Sequence, residues 1–309
     1  MAAALLSLLL GSVTACGQSS SAQTVPSTTA SSATGSVAIY ITAETKKGVP
    51  VTDLKPDDLK ITEDKVPAKV EKISCGKPDP ILLGVLVDVS GSRRFDPHLG
   101  SHYDALQAFL DHVLKENDAA YVIAFDDKPY KLTELTADRG ALTSAFDKLK
   151  KHNPQGSTAL YDTIKAAANA NFFRHTGRRL LLVVGDWEDN SSHISLDQVG
   201  EFPERTSTMV YAVLDATDST TFSKKGHLQG LSAVKKVTEE TGGLYYDVQG
   251  EREFAAALRA ILGAIGGACR VDYSVPNLVP NKKGIKLHVE ANSKEISVHY
   301  PKVRFALAE

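Results

Sequence analysis

One stretch constrains this chain more than any other: Ile81-Leu82-Leu83-Gly84-Val85-Leu86-Val87, followed at once by Asp88-Val89-Ser90-Gly91-Ser92. A short apolar run bounded by turn residues predicts a strand covered on both faces, as in a parallel sheet. Asp88, Ser90 and Ser92 then stand on the loop at the strand's carboxyl end, where open α/β sheets bind their ligands. One carboxylate and two hydroxyls are hard oxygen donors, suited to Mg²⁺ or a similar cation.

The surroundings of that stretch repeat its logic. Across residues 79–267, apolar strands are expected at 81–87, 119–125, 180–184, 208–214 and 244–248. Amphipathic helices separate them, which predicts a doubly wound α/β fold with a mostly parallel sheet. Leu106, Phe109, Leu110 and Val113 share one helix face. So do Leu160, Ile164, Ala167, Ala168 and Asn171, and later Phe254, Leu258, Ile261, Leu262 and Ile265. Two further helices are expected near 139–150 and 228–241, the second closed by Gly242-Gly243.

Both flanks of this domain read as β structure. Val37, Ile39 and Ile41 alternate with other residues, and turn signals follow at Lys46–Pro50 and Glu63-Asp64-Lys65. After residue 268, Val271, Tyr273 and Val275 alternate, then Ile285, Leu287 and Val289, then Ile296 and Val298. Asn281-Lys282-Lys283-Gly284 and Asn292-Ser293-Lys294 supply the turns. Separately, 36–75 and 268–309 are each too small to bury a core. The economical expectation is one β-sandwich-like module made from both segments, with the α/β domain inserted in it.

The first residues differ in kind. Residues 2–10 are almost wholly apolar, too short for a membrane-spanning helix but the length of a signal-peptide core. No Lys or Arg precedes them. Val13-Thr14-Ala15-Cys16-Gly17 resembles a bacterial lipobox, so 1–16 reads as a signal peptide with Cys16 as the lipidated residue. Secretion as a soluble protein is the alternative. Residues 17–35 are Ser- and Thr-rich and read as a flexible tether. The expected location is the bacterial cell envelope, through a lipid anchor, or the exterior. Cys75 and Cys269 lie at the two junctions of the inserted domain, and an exported protein permits a disulfide between them. Two free buried thiols are the alternative. A net charge of −2 over 309 residues gives no electrostatic case for a nucleic-acid partner.

Two more segments extend the oxygen-ligand set. Gly156-Ser157-Thr158-Ala159-Leu160-Tyr161-Asp162 opens a helix, and Leu180–Gly185 is a buried strand ending in Asp186. Three loops at one sheet edge would thus deliver Asp88, Ser90, Ser92, Thr158 and Asp186. Singly, each has a plain structural use: Asp88 and the serines as turn formers, Thr158 as an N-cap, Asp186 as a strand-end turn residue. Glu188, Asp189 and Asp215 read as solvated loop carboxylates. His98, His102 and His193 lack metal-ligand spacing.

Taken together, this set resembles the von Willebrand factor A domain and its metal-ion-dependent adhesion site: Asp-x-Ser-x-Ser, then a Thr on a second loop, then an Asp on a third. The wider chain is similar to a group of acidobacterial proteins with an inserted A domain. That likeness rests on Gly48-Val49-Pro50-Val51, Asp57-Asp58-Leu59, Thr62-Glu63-Asp64 and Glu188-Asp189-Asn190-Ser191-Ser192. The resemblance implies Mg²⁺, or Mn²⁺ or Ca²⁺, held by those five residues. It implies a protein partner whose Glu or Asp completes the coordination. The family usually has Gly after the third-loop Asp, where this chain has Trp187. The indole would either narrow access to the site or supply a contact surface for the ligand.

Enzyme motifs are missing. There is no phosphate loop, no Gly-x-Gly-x-x-Gly after the first strand, no Gly-x-Ser-x-Gly elbow and no His-Glu-x-x-His. The leading expectation is a surface-anchored, non-enzymatic binding module. A Mg²⁺-dependent α/β hydrolase and a structural envelope protein with a vestigial site are the alternatives.

Overall fold

The computed structural model describes residues 35–76, 79–170, 177–215, 224–276 and 284–305. The expectations for Cys16, the leader, most of the tether, Asn171 and Asn281-Lys282-Lys283 fall outside these residues.

The run that dominates the sequence is β4 (Ile81–Asp88), with every residue buried. Its neighbours are β5 (Ala119–Phe125) and β7 (Arg178–Gly185), both parallel to it. Next to β7 come β8 (Thr208–Asp215) and β9 (Tyr245–Val248), also parallel. β6 (Pro129–Lys131) closes the other edge as an antiparallel hairpin partner of β5, so this six-stranded sheet is mixed.

Strand alternation assigns the two faces. Ile81, Leu83, Val85 and Val87 point to one layer, made of α1 (Leu99–Val113), α2 (Arg139–Lys151) and α7 (Glu251–Gly267). Leu82 and Leu86 point to the other, made of α3 (Leu160–Ala170) and α6 (Lys224–Thr241), with short α4 (Leu196–Val199) and α5 (Glu201–Arg205). Gly84 is needed on that second face: a Cβ there would sit 2.4 Å from the Tyr121 phenol.

The flanking segments behave differently from the expected sandwich. β1 (Gly35–Thr45), β2 (Leu59–Glu63), β3 (Val66–Cys75), β10 (Cys269–Val275), β11 (Ile285–Ala291), β12 (Ile296–His299) and β13 (Val303–Arg304) form a single antiparallel sheet. Its order is β12-β1-β10-β3-β2-β11-β13. The reason it is not flat is covalent. β11 and β12 stand five strand spacings apart in that order, about 24 Å in a flat sheet. Only residues 292–295 join them, and those reach about 17 Å at full extension. The sheet must therefore curl, and its concave face buries Ile39, Ile41, Ile61, Val271, Tyr273 and Val289 in one core. One curled sheet replaces two packed layers.

β10 leaves the end of α7 and pairs with β3, which precedes β4. Cys75 and Cys269 face each other across that pair and are disulfide-bonded. Within the curled core, Glu63 accepts both nitrogens of a two-pronged Arg304 contact, at 2.8 and 2.7 Å, and a hydrogen bond from the Tyr273 hydroxyl at 2.5 Å. That buried trio fastens β13 to β2 and β10.

Candidate metal centre

Parallel strands put their carboxyl ends at one edge; here β4 and β8 end in Asp88 and Asp215, and Asp126 and Asp186 directly follow β5 and β7. Asp88 is 2 % exposed. Its Oδ1 accepts from the Ser90 backbone N–H at 2.9 Å, which turns the loop sharply after β4. Its Oδ2 is buried with no hydrogen-bond partner among the described residues. The Ser90 and Ser92 hydroxyls lie 3.0 Å apart, and Ser92 donates to Asp186 Oδ2 at 2.5 Å. The other Asp186 oxygen accepts from the Glu188 N–H at 3.0 Å.

Close approach of β4 and β7 needs Gly185: a Cβ there would lie 2.5 Å from the Asp88 Cβ. The structure thus brings Asp88, Ser90, Ser92 and Asp186 together. Thr158 is buried on the adjoining loop. Gly91 donates to the Gly156 carbonyl at 3.0 Å and Gln155 to the Val89 carbonyl at 3.1 Å, binding that loop to the first. Asn190 Oδ1 accepts from the Thr158 N–H at 2.8 Å, binding it to the third.

The electrostatics are those of a site short of positive charge. Burial, reinforced by the Asp186 charge, pushes the Asp88 carboxyl up to about 7, with Arg93 opposing. Burial also raises Asp186, although its hydrogen bond from Ser92 works the other way. A dry, unpartnered carboxylate oxygen is costly. Two buried carboxyls beside two hydroxyls are the donor set that a hard divalent cation satisfies. The residues present therefore fit such an ion.

Trp187 overturns its expected role. It is 1 % exposed and packs in the core beneath the loop with Leu160, Val199, Leu214 and Val234. An indole with no surface can neither present a contact to a ligand nor narrow the entrance. Its φ is +59°, the left-handed region that favours glycine. The backbone shape expected of Gly is kept, at a cost of roughly 1–2 kcal/mol. Burying an indole of 150–250 Å² contributes about 4–6 kcal/mol, so burial wins.

Asp215 is also not the solvated carboxylate expected of it; it is fully buried. It belongs to a group with Arg93, Asp96 and His102 immediately behind the first loop. Sequence reasoning missed Arg93 and Asp96, because buried ion pairs carry no periodic signal. The one available hint was that β8, like β4, ends in Asp. Asp189 serves structure: it accepts from the Tyr161 N–H at 2.9 Å and from the Ser192 hydroxyl at 2.6 Å.

The geometry agrees with comparisons to known proteins. Residues 83–188 match the model of the von Willebrand factor type A domain. No protein of curated function matches the chain in sequence. Among solved structures, a von Willebrand factor type A protein from Catenulispora acidiphila is 10 % identical with a TM-score of 0.52, covering 87 % of this chain and 74 % of its own. An aerotolerance-related membrane protein from Bacteroides fragilis is 17 % identical with a TM-score of 0.45, covering 60 % and 98 %. Proximal thread matrix protein 1 from the mussel byssus, with a zinc-occupied adhesion motif, is 15 % identical with a TM-score of 0.48, covering 70 % and 50 %. The stretch that matches the von Willebrand factor type A domain holds most of β4, all of β7, the first two loops of the candidate centre and the start of the third, with Asp186.

Proposed function

We propose that this chain is an exported, envelope-anchored binding module that uses a divalent cation to hold a protein partner through an acidic side chain. The observation that carries the reading is the buried Asp88 Oδ2, left without a hydrogen bond beside Asp186, Ser90 and Ser92. Asp88, Ser90, Ser92, Thr158 and Asp186 would hold the ion, with Mg²⁺ the first choice and Mn²⁺ or Ca²⁺ the alternatives. When bound, the ion supplies an acceptor position for a carboxylate from outside the chain. Hydroxyl ligands favour this, because they neutralise none of the ion's charge.

Anchoring rests on Cys16 and the segment before it. Among the described residues no helix is long and apolar enough to cross a membrane. Fatty-acid labelling of the expressed full chain, lost in Cys16→Ser, tests the anchor.

The metal reading is tested by melting the protein in Mg²⁺ and in EDTA. We expect Mg²⁺ to raise Tm in the wild type and to leave Ser90→Ala/Ser92→Ala unchanged. A wild type indifferent to Mg²⁺, Mn²⁺ and Ca²⁺ would sink the reading. Recovery of partners from envelope extract with Mg²⁺ against EDTA then tests the binding mode.

A further inference from the structure

Behind the candidate centre lies a second convergence of ligand atoms. Asp96 and Asp215 each offer one carboxylate oxygen and His102 one ring nitrogen, all within 4.8 Å of one another and all buried. His102 is 2 % exposed and stacks flat on Phe254, ring centroids 4.0 Å apart. Its Nδ1 lies 3.1 Å from Asp215 Oδ2 and 3.7 Å from Asp96 Oδ2. Neither ring nitrogen makes a hydrogen bond among the described residues. A buried imidazole aimed at two carboxylates without hydrogen-bonding to them has the arrangement of a ligand. Two carboxylates and one imidazole suit a divalent transition metal.

That position is already filled. Arg93 Nη2 donates to Asp96 Oδ2 and to Asp215 Oδ2, both at 2.5 Å, while Nη1 donates to the Asp215 carbonyl at 3.1 Å. A guanidinium presents its donors in a fixed fork and stays charged when buried. Arg93 also follows Ser92 directly. Whatever cation fills this position sets where Ser92 stands, and Ser92 bonds Asp186 on its other side. A free ion would come and go with its concentration, whereas a guanidinium in the chain is permanent.

We propose that Arg93 stands in for a second divalent cation: it occupies a latent Asp96–His102–Asp215 site and thereby positions the loop carrying Ser90 and Ser92 against the end of β8. Arg93 is a positioning residue and touches no ligand. The inference rests on the reading of the neighbouring centre as a cation site, and it adds a count: the native chain takes one ion where its side chains could hold two.

The test is Mn²⁺ titration of the full chain by calorimetry. The wild type is expected to bind one equivalent. Arg93→Met should bind that first ion about tenfold more weakly, as loss of an outer support does, and should gain a second equivalent. Arg93→Met/His102→Phe should lose the second equivalent again, which a merely structural role for Arg93 would not produce. A folded Arg93→Met that binds one equivalent at wild-type affinity overturns the proposal, as does a second equivalent that survives His102→Phe. Should Arg93→Met unfold without metal, refolding by Mn²⁺ that requires His102 supports it, and failure to refold overturns it. Arg93→Lys keeps the charge without the fork and should bind one ion at intermediate affinity; full wild-type affinity there refutes the positioning role. A wild type that binds no Mn²⁺ refutes the first centre instead, and the second equivalent in Arg93→Met is then still read by itself.

Discussion

Replacing Asp88 with Asn should make the metal-free protein more stable at alkaline pH while removing its response to Mg²⁺. The reasoning starts from burial. In the unfolded chain the Asp88 carboxyl ionises near its usual 3.8, and in the fold it is held up to about 7. Each tenfold change in proton affinity corresponds to about 1.4 kcal/mol. The ionised form therefore costs roughly 4 kcal/mol more in the folded protein than in the unfolded one. The sign follows from proton counts. Below pH 3.8 both states are protonated and nothing is lost; between that and about pH 7 only the unfolded state releases its proton; above about 7 the loss is complete. Asn keeps the acceptor that receives the Ser90 N–H and carries no charge. In EDTA, urea melts of Asp88→Asn and wild type should coincide near pH 4 and separate by up to about 4 kcal/mol at pH 8, the variant being the more stable. Mg²⁺ should stabilise the wild type at pH 8, where it no longer competes with a proton, and do little for the variant. An Asp88→Asn protein that is less stable than wild type at pH 8 in EDTA refutes the account of a charge-starved site.

Four further outcomes follow from the packing. Gly185→Ala forces a methyl against Asp88 and should cost about 1–3 kcal/mol and abolish the Mg²⁺-dependent Tm shift. Trp187→Gly should relieve the left-handed backbone yet lose more in burial, a net destabilisation of about 2–5 kcal/mol by urea unfolding. Glu63→Gln leaves Arg304 buried without its counter-charge and should cost about 3–5 kcal/mol, with faster amide exchange in β11 and β13. Reducing Cys75–Cys269 opens a loop spanning 194 residues and should lower stability by about 5 kcal/mol on the chain-entropy account, measured as a fall in the urea midpoint.

Much of the α/β domain was legible because its signals are local. An unbroken apolar run states a strand buried on both faces, and i, i+3/i+4 spacing states a helix face, so β4, β7, β8 and the core of α7 could be placed from residue types alone. The oxygen-donor set was legible for a related reason: in a parallel sheet every strand delivers its last residue to the same edge, so strand-end Asp and Ser residues meet without further information. The curl of the flanking sheet was not legible. It follows from which strands pair, and alternation along a strand is the same in a sandwich and in a single curled sheet.

Trp187 shows the sharper limit. Sequence placed it beside the loops of the candidate centre, and only the left-handed turn after Asp186 decides that its ring points down into the core. Arg93, Asp96, His102 and Asp215 show the same limit from the other side. They are spread over 123 positions of chain, and each taken alone reads as a surface residue. What makes them a buried charge network is the meeting of the first loop, α1 and the end of β8, and charge pairing in a dry interior is decided by distances that no local pattern carries. By itself the sequence determined the strands, the helices and the edge where these oxygen-bearing side chains gather; tertiary structure alone decided which charges are buried there and which of them face one another.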